Sequence, residues 1–184
     1  MKIAIFGGSF DPIHIAHETI VRTALKNLDL DRIIVIPTYL NPFKKDFLFE
    51  PEIRFEFLKK VFQDDSRIFV SDYEIKQKKL SYTYETIRYI KSLLNPSKIY
   101  FIIGEDNLKS LHKWHNIDEL KKNLEFVVAK RVGYNLDNKE FKSLDINIDI
   151  SSTLLRDKLD LSYIPDIIKD DVKKELGKLK KGKF

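Results

Sequence analysis

The chain has 184 residues, 43% of them apolar and 33% charged, no cysteine and a formal net charge of +5. That length suits one domain with a proper core, and the balance excludes a disordered chain. No apolar stretch reaches the ~20 residues of a membrane helix, "MKIAIFGG" lacks a secretory pattern, and the missing cysteines exclude disulfides, thiolate metal sites and a cysteine nucleophile. A cytoplasmic address is the expectation.

The first apolar run, "KIAIFG" (2–7), reads as a strand that ends at Gly7-Gly8. Ile20, Val21, Ala24, Leu25 and Leu28 follow at helical spacing, which predicts a helix beginning near Pro12 to His14. "RIIVIPT" (32–38) is a second strand, and Ile53, Phe57, Leu58 and Val61 form a second helical stripe. "RIFVSDYEI" (67–75) is a third strand, followed by a stripe of Tyr84, Ile87, Ile90, Leu93 and Leu94. "KIYFIIG" (98–104), "LEFVVAKR" (124–131) and "INIDIS" (146–151) complete the strands, and helices over about 152–184 close the chain. Strands alternating with helices predict an α/β fold, a single domain over 1–184 around a doubly wound, mostly parallel sheet. The stretch from Lys173 to Phe184 holds six lysines and one glutamate, so it carries the whole net charge and the rest is neutral. Basicity confined to a terminus reads as a solvated helix end, which argues against a nucleic-acid partner.

Ligands of such sheets sit at the carboxyl ends of strands, where the strand order reverses. Gly7, Gly8 and Gly104 all lie at strand ends, and the helix after Pro12 would aim its positive end at the same crevice. His14 and His17, three apart, share one face of its first turn. The chain contains neither GxxxxGK[ST] nor GxGxxG, so a P-loop or a dinucleotide fingerprint is excluded. All four histidines occur in HxxH pairs, "HIAH" (14–17) and "HKWH" (112–115), which raises a metal centre as a rival. No glutamate pattern completes a zinc motif, and the plainer reading of His112 and His115 is exposed helix residues beside Trp114.

"GGSFDPIHIAH" (7–17) and "ISSTLLR" (150–156) resemble the two outer signatures of the HxGH nucleotidyltransferase superfamily, with Ala16 where that signature has glycine. "SYTYETI" (81–87) and "FIIGEDNLKSLHKWHNIDEL" (101–120) are similar to segments of bacterial nicotinate-nucleotide adenylyltransferases. "PTYLNPFKK" (37–45) stands where that family has a loop ending Pro-Pro-His-Lys; Phe43 replaces the histidine and Lys44 aligns. The resemblance implies a Rossmann-like nucleotidyltransferase fold. It implies attack by a nucleotide phosphate on the α-phosphate of ATP, with Mg²⁺ carried largely by the phosphates.

Under that resemblance His17 serves the transition-state α-phosphate and His14 the phosphate oxygens, while Lys44 and Arg156 neutralise charge. Gly7, Gly8, Ser9, Phe10, Gly104, Asp106, Ser151, Ser152 and Thr153 belong with them to the ATP site. Lys44, Tyr82, Thr83, Asp106 and Trp114 would hold nicotinate mononucleotide. Trp114 can stack on the cationic ring, amides at a helix start near Thr83 can hold its carboxylate, and Asp106 can accept from ribose hydroxyls. Nicotinamide-mononucleotide and phosphopantetheine adenylyltransferases are alternatives, as is a non-enzymatic nucleotide- or RNA-binding protein on the same fold. A homo-oligomer is compatible with all of these readings.

Overall fold

The apolar runs assemble into one six-stranded sheet in the computed structural model, which describes residues 1–40, 47–131, 141–146, 148 and 160–181. The strands are β1 (Lys2–Gly8), β2 (Arg32–Pro37), β3 (Ile68–Val70), β4 (Lys98–Gly104), β5 (Glu125–Arg131) and β6 (Lys142–Ile146). Their order is β3-β2-β1-β4-β5-β6 and every pairing is parallel. The helices are α1 (Ile15–Asn27), α2 (Pro51–Val61), α3 (Tyr73–Gln77), α4 (Thr83–Leu94), α5 (Ile117–Asn123) and α6 (Lys169–Lys181).

Successive side chains of a strand point to opposite faces, so a parallel sheet needs a core on each side. On β1, Ala4 and Phe6 join a cluster with Val21 and Ala24 of α1, Leu58 of α2 and Val172 of α6. Ile3 and Ile5 join the other, with Ile87 and Ile90 of α4 and Leu120 of α5. Each buried isoleucine contributes about 1.5–3 kcal/mol. Ala16, the departure from the HxGH signature, is 3% exposed and its methyl fills the first core. From β1 the chain winds outward through β2 and β3, then crosses back to place β4 on the other side of β1, with Phe6 beside Ile102. The reversal therefore lies between the carboxyl ends of β1 and β4.

Three expectations shift. Only the first part of "RIFVSDYEI" is strand, because Ser71 turns the chain, its Oγ accepting from the Tyr73 amide at 3.3 Å, and the rest becomes α3. The last described strand covers 142–146 and includes Ile146 of the expected run 146–151, of which 147 and 149–151 lie outside the described residues; Leu144 and Ile146 bury while Lys142, Ser143 and Asp145 face out. Leu93, counted in the α4 stripe, is 62% exposed. At the carboxyl terminus Val172 and Leu176 pack on the core, and Lys173 and Lys178 pair with Asp170 and Glu175 within α6. The first part of the basic stretch is thus a packed amphipathic helix. Among the described residues no helix is long and apolar enough to cross a membrane.

Candidate active site

Strand β1 delivers Gly7 and Gly8 to the reversal point, and the turn after it is shaped by packing. A Cβ on Gly8 would meet the Phe10 ring at 3.1 Å, whereas one on Gly7 would make only ordinary contacts from 3.9 Å. A side chain at Gly8 would thus press on the buried Phe10 ring, whereas the fold leaves room for one at exposed Gly7. Phe10 adopts a left-handed φ of 48° and is 1% exposed, with its ring edge-on to Phe6 and to His17 at 5.4 and 4.9 Å. Its side chain braces the turn from inside the core and does not itself line the crevice.

His14 is the N-cap of α1, and its amide donates to His17 Nδ1 at 3.4 Å. The two rings stack with centroids 3.7 Å apart, His14 buried and His17 half-buried above it. Since His17 Nδ1 accepts a hydrogen bond, the proton of the neutral ring sits on Nε2. Cap, stack and Phe10 edge hold that donor at the positive end of a 13-residue helix.

Arg54 is a feature that the sequence reading missed. It is fully buried, and its guanidinium donates to the carbonyls of Phe49 (3.1 Å), Ser9 (2.5 Å) and Thr38 (2.8 Å). Burial pushes it below the ordinary arginine range, and the negative charge of Asp11 opposes that shift. Asp11, also fully buried, accepts from the Leu48 and Phe49 amides at 2.7 and 2.9 Å. One cation and one carboxylate thus tie the Ser9 turn to the segments on either side of residues 41–46.

Across the crevice β4 ends at Gly104, where a Cβ would collide with Asp106 Oδ1, so the glycine lets the exposed Asp106 side chain fold back. Glu105, also unforeseen, is 6% exposed, and among the described residues neither carboxyl oxygen has a hydrogen-bond partner. A 3-10 helix, Glu105–Lys113, then leads to half-buried Trp114, whose ring meets Phe101 edge-on at 5.9 Å and whose Nε1 is buried with no hydrogen-bond partner among the described residues. The start of α4 has Tyr82 as N-cap and no side-chain cap; the Glu85 amide donates to the Tyr82 carbonyl at 2.9 Å, and the Thr83 and Tyr84 amides precede it at the helix tip. Tyr82 is 42% exposed and its ring lies 4.8 Å from that of His115.

Beneath α4, Thr86 Oγ1 donates to Glu74 Oε1 at 2.7 Å. Burial pushes the Glu74 carboxyl up from 4.5 to about 7. The folded chain then keeps a proton that the unfolded chain releases, so stability should fall as pH rises from about 4.5 to about 7 and level off above. That decline amounts to about 3 kcal/mol. Glu74→Gln is expected to flatten it, and thermal melts of both proteins across this range check the point: parallel curves would contradict it.

Gly7, Gly8, Ser9, His14 and His17 thus lie at the end of β1 and on through the start of α1, and Gly104 and Asp106 at and just after the end of β4, on the two sides of the reversal point, while Tyr82, Thr83 and Trp114 sit on the α4 side of the sheet. Lys44, Ser151, Ser152, Thr153 and Arg156 lie outside the described residues. Among the described residues no three His, Asp or Glu side chains gather as metal ligands, so the two histidine pairs do not form one centre. A cleft of about 500 Å³ between α1, α2 and residues 162–169 is a poorer phosphate site. Its cations are already paired, Arg22 with Glu18 and Asp64, Lys60 with Asp171, and Lys169 with Asp166.

Comparison with known proteins gives the family. Residues 5–158 match the cytidylyltransferase-like family model. The chain is 58% identical to the probable nicotinate-nucleotide adenylyltransferase of Aliarcobacter butzleri, over 94% of this chain and 95% of that protein. It belongs to the nicotinate-nucleotide adenylyltransferase family. A second adenylyltransferase of that name, from Nitratiruptor sp., is 45% identical over 94% of this chain and 97% of its own. The fold matches Plasmodium falciparum nicotinic acid mononucleotide adenylyltransferase complexed with NaAD, with a TM-score of 0.78 and 27% identity over 94% of this chain and 95% of that one.

Proposed function

We propose that this adenylyltransferase moves the adenylyl group of ATP onto nicotinate mononucleotide, giving nicotinate adenine dinucleotide and pyrophosphate in NAD biosynthesis. The observation that carries the reading is the convergence of the Gly7-Gly8 strand end, the His17 Nε2 donor and the amino end of α1 at the β1/β4 reversal point. The names of its relatives support the same substrates.

An oxygen of the mononucleotide phosphate, ionised at neutral pH, attacks the α-phosphorus of ATP; the bond from that phosphorus to the bridging oxygen breaks and pyrophosphate leaves with the electron pair. No general base is required, so the work of the protein is alignment and charge stabilisation. His17 Nε2–H donates to the α-phosphate oxygens as their charge rises. Backbone amides of Gly8 and Ser9 and the dipole of α1 hold the same phosphates, with His14, Lys44 and Arg156 serving the remaining oxygens. Ser151, Ser152 and Thr153 would contribute a second helix start. Asp106 accepts from ribose hydroxyls. Mg²⁺ arriving with ATP would neutralise phosphate charge, and Glu105 and Asp106 are the carboxylates at the β4 end that could approach it.

On the α4 side, Trp114 faces the pyridinium ring and the open amides around Thr83 take its carboxylate. Trp114→Ala is expected to raise KM for nicotinate mononucleotide about tenfold, within the range of one cation–aromatic contact, and to leave KM for ATP within about twofold. Equal changes in both would refute ring stacking. The overall reading is tested by pyrophosphate release from ATP with three acceptors: nicotinate mononucleotide, nicotinamide mononucleotide and phosphopantetheine. The first should be used best; a higher kcat/KM for either of the others would overturn it.

A further inference from the structure

The first turn of α4 is anchored from beneath by a buried acid that the mechanism does not use. Glu74, on α3, is 7% exposed, and its Oε1 accepts from Thr86 Oγ1 at 2.7 Å. The Thr86 amide in turn donates to the Tyr82 carbonyl at 3.3 Å, closing the turn that carries the Thr83 and Tyr84 amides. Thr83 and Thr86 are about 4.5 Å apart along the helix axis, so the Glu74 carboxyl lies about one turn from the helix tip. Its Oε2 is buried with no hydrogen-bond partner among the described residues.

The titratable groups around it leave its charge uncompensated. From α4, Glu85 adds negative charge, and Tyr89 stacks on Tyr73 of α3 with ring centroids 3.9 Å apart. On α3 itself Asp72 and Lys76 pair at 2.8 Å. β2, which also packs on α3, brings Arg32 to the groove beside Tyr73 and Lys76, and Lys78 and Lys79 after α3 are exposed. Among the described residues no cation offsets Glu74, and burial raises its carboxyl to about 7, so both charge states occur near neutrality.

We propose that Glu74 is a positioning residue that sets acceptor specificity through α4: as a neutral acid it leaves the helix tip to the carboxylate of the pyridine ring, and as an anion it competes with that carboxylate. The assignment rests on the acceptor proposed above. Two anions near one helix start disfavour each other, and burial leaves their repulsion weakly screened. A nicotinamide ring carries an uncharged carboxamide, which a charge on Glu74 does not repel. Ionisation of Glu74 therefore weakens the preferred acceptor and spares its amide analogue.

Steady-state kinetics of the full chain with nicotinate and nicotinamide mononucleotide, from about pH 6 to about pH 9, test this. The two acceptors share a phosphate, so its titration cancels in the ratio of kcat/KM for nicotinate to that for nicotinamide. In the unmodified protein the ratio should fall about tenfold as pH rises and then level off, the effect of a one-unit shift in Glu74 when the ring carboxylate binds. Glu74→Gln, which keeps the shape and an acceptor for Thr86, should hold the low-pH ratio throughout. A flat ratio in the unmodified protein overturns the assignment, whether or not the variant folds. A fall that persists in Glu74→Gln belongs to another group, such as His115 beside Tyr82, and overturns it too. Failure of the unmodified protein to use nicotinate mononucleotide at any pH would sink the acceptor reading as well.

Discussion

Replacing His17 with alanine is expected to cut turnover by about 10²–10³, the scale for losing one preorganised donor to a developing oxyanion. The expectation follows from how narrowly the ring is held. Its Nδ1 is engaged by the His14 amide, its face by the His14 ring and its side by the Phe10 edge, which fixes the direction of Nε2. Because His17 also completes the cap of α1, the variant should lose about 1 kcal/mol of stability, the scale of one helix cap, and remain folded. Single-turnover measurements of dinucleotide formation, alongside thermal melts, separate the two effects. Turnover within about threefold of wild type would remove His17 from the chemistry.

Arg54→Ala should have the largest effect on stability. It would strip four carbonyls, those of Ser9, Thr38, Tyr39 and Phe49, of their donor and remove a positive charge that acts on the buried Asp11 carboxylate. Removing one member of a buried charged network typically costs about 3–5 kcal/mol, a large share of the stability of a domain this size. Arg54→Lys should recover little, since an ammonium is a point donor and cannot span carbonyls contributed by Ser9, Thr38 and Phe49 at once. Urea denaturation of both variants tests this. A loss below about 1 kcal/mol in the alanine variant would mean that the turn after β1 is held by its own packing.

Much of this architecture could be read along the chain because it is written in local pattern. The apolar runs of β1, β2, β4 and β5 are buried on both faces and need no alternation to be seen, and the stripe from Ile20 to Leu25 specifies α1 on its own. The expected crevice rests on the strand ends marked by the glycines at 7, 8 and 104, and the strand order itself comes from the fold. What stayed hidden depends on partners distant in sequence. Arg54 looks like one charge among several on a surface helix, and its contact with Ser9 spans 45 positions. A signal was nevertheless present: Arg54 lies three, four and seven residues before Phe57, Leu58 and Val61, squarely on the apolar stripe. Glu74 and Glu105 carry no such mark, since one sits in a five-residue helix and the other between Gly104 and Asp106. β6 escaped because an edge strand with one buried face shows only Leu144 and Ile146 as apolar signals.

The central claim, that polyphosphate is held between the β1 turn and α1 while the pyridine ring sits by α4, is tested most directly by a crystal structure with nicotinate adenine dinucleotide bound. The account predicts the diphosphate at about 3 Å from His17 Nε2 and the amides after Gly8, with the ring against Trp114. A dinucleotide lodged instead in the cleft between α1, α2 and residues 162–169 would contradict it.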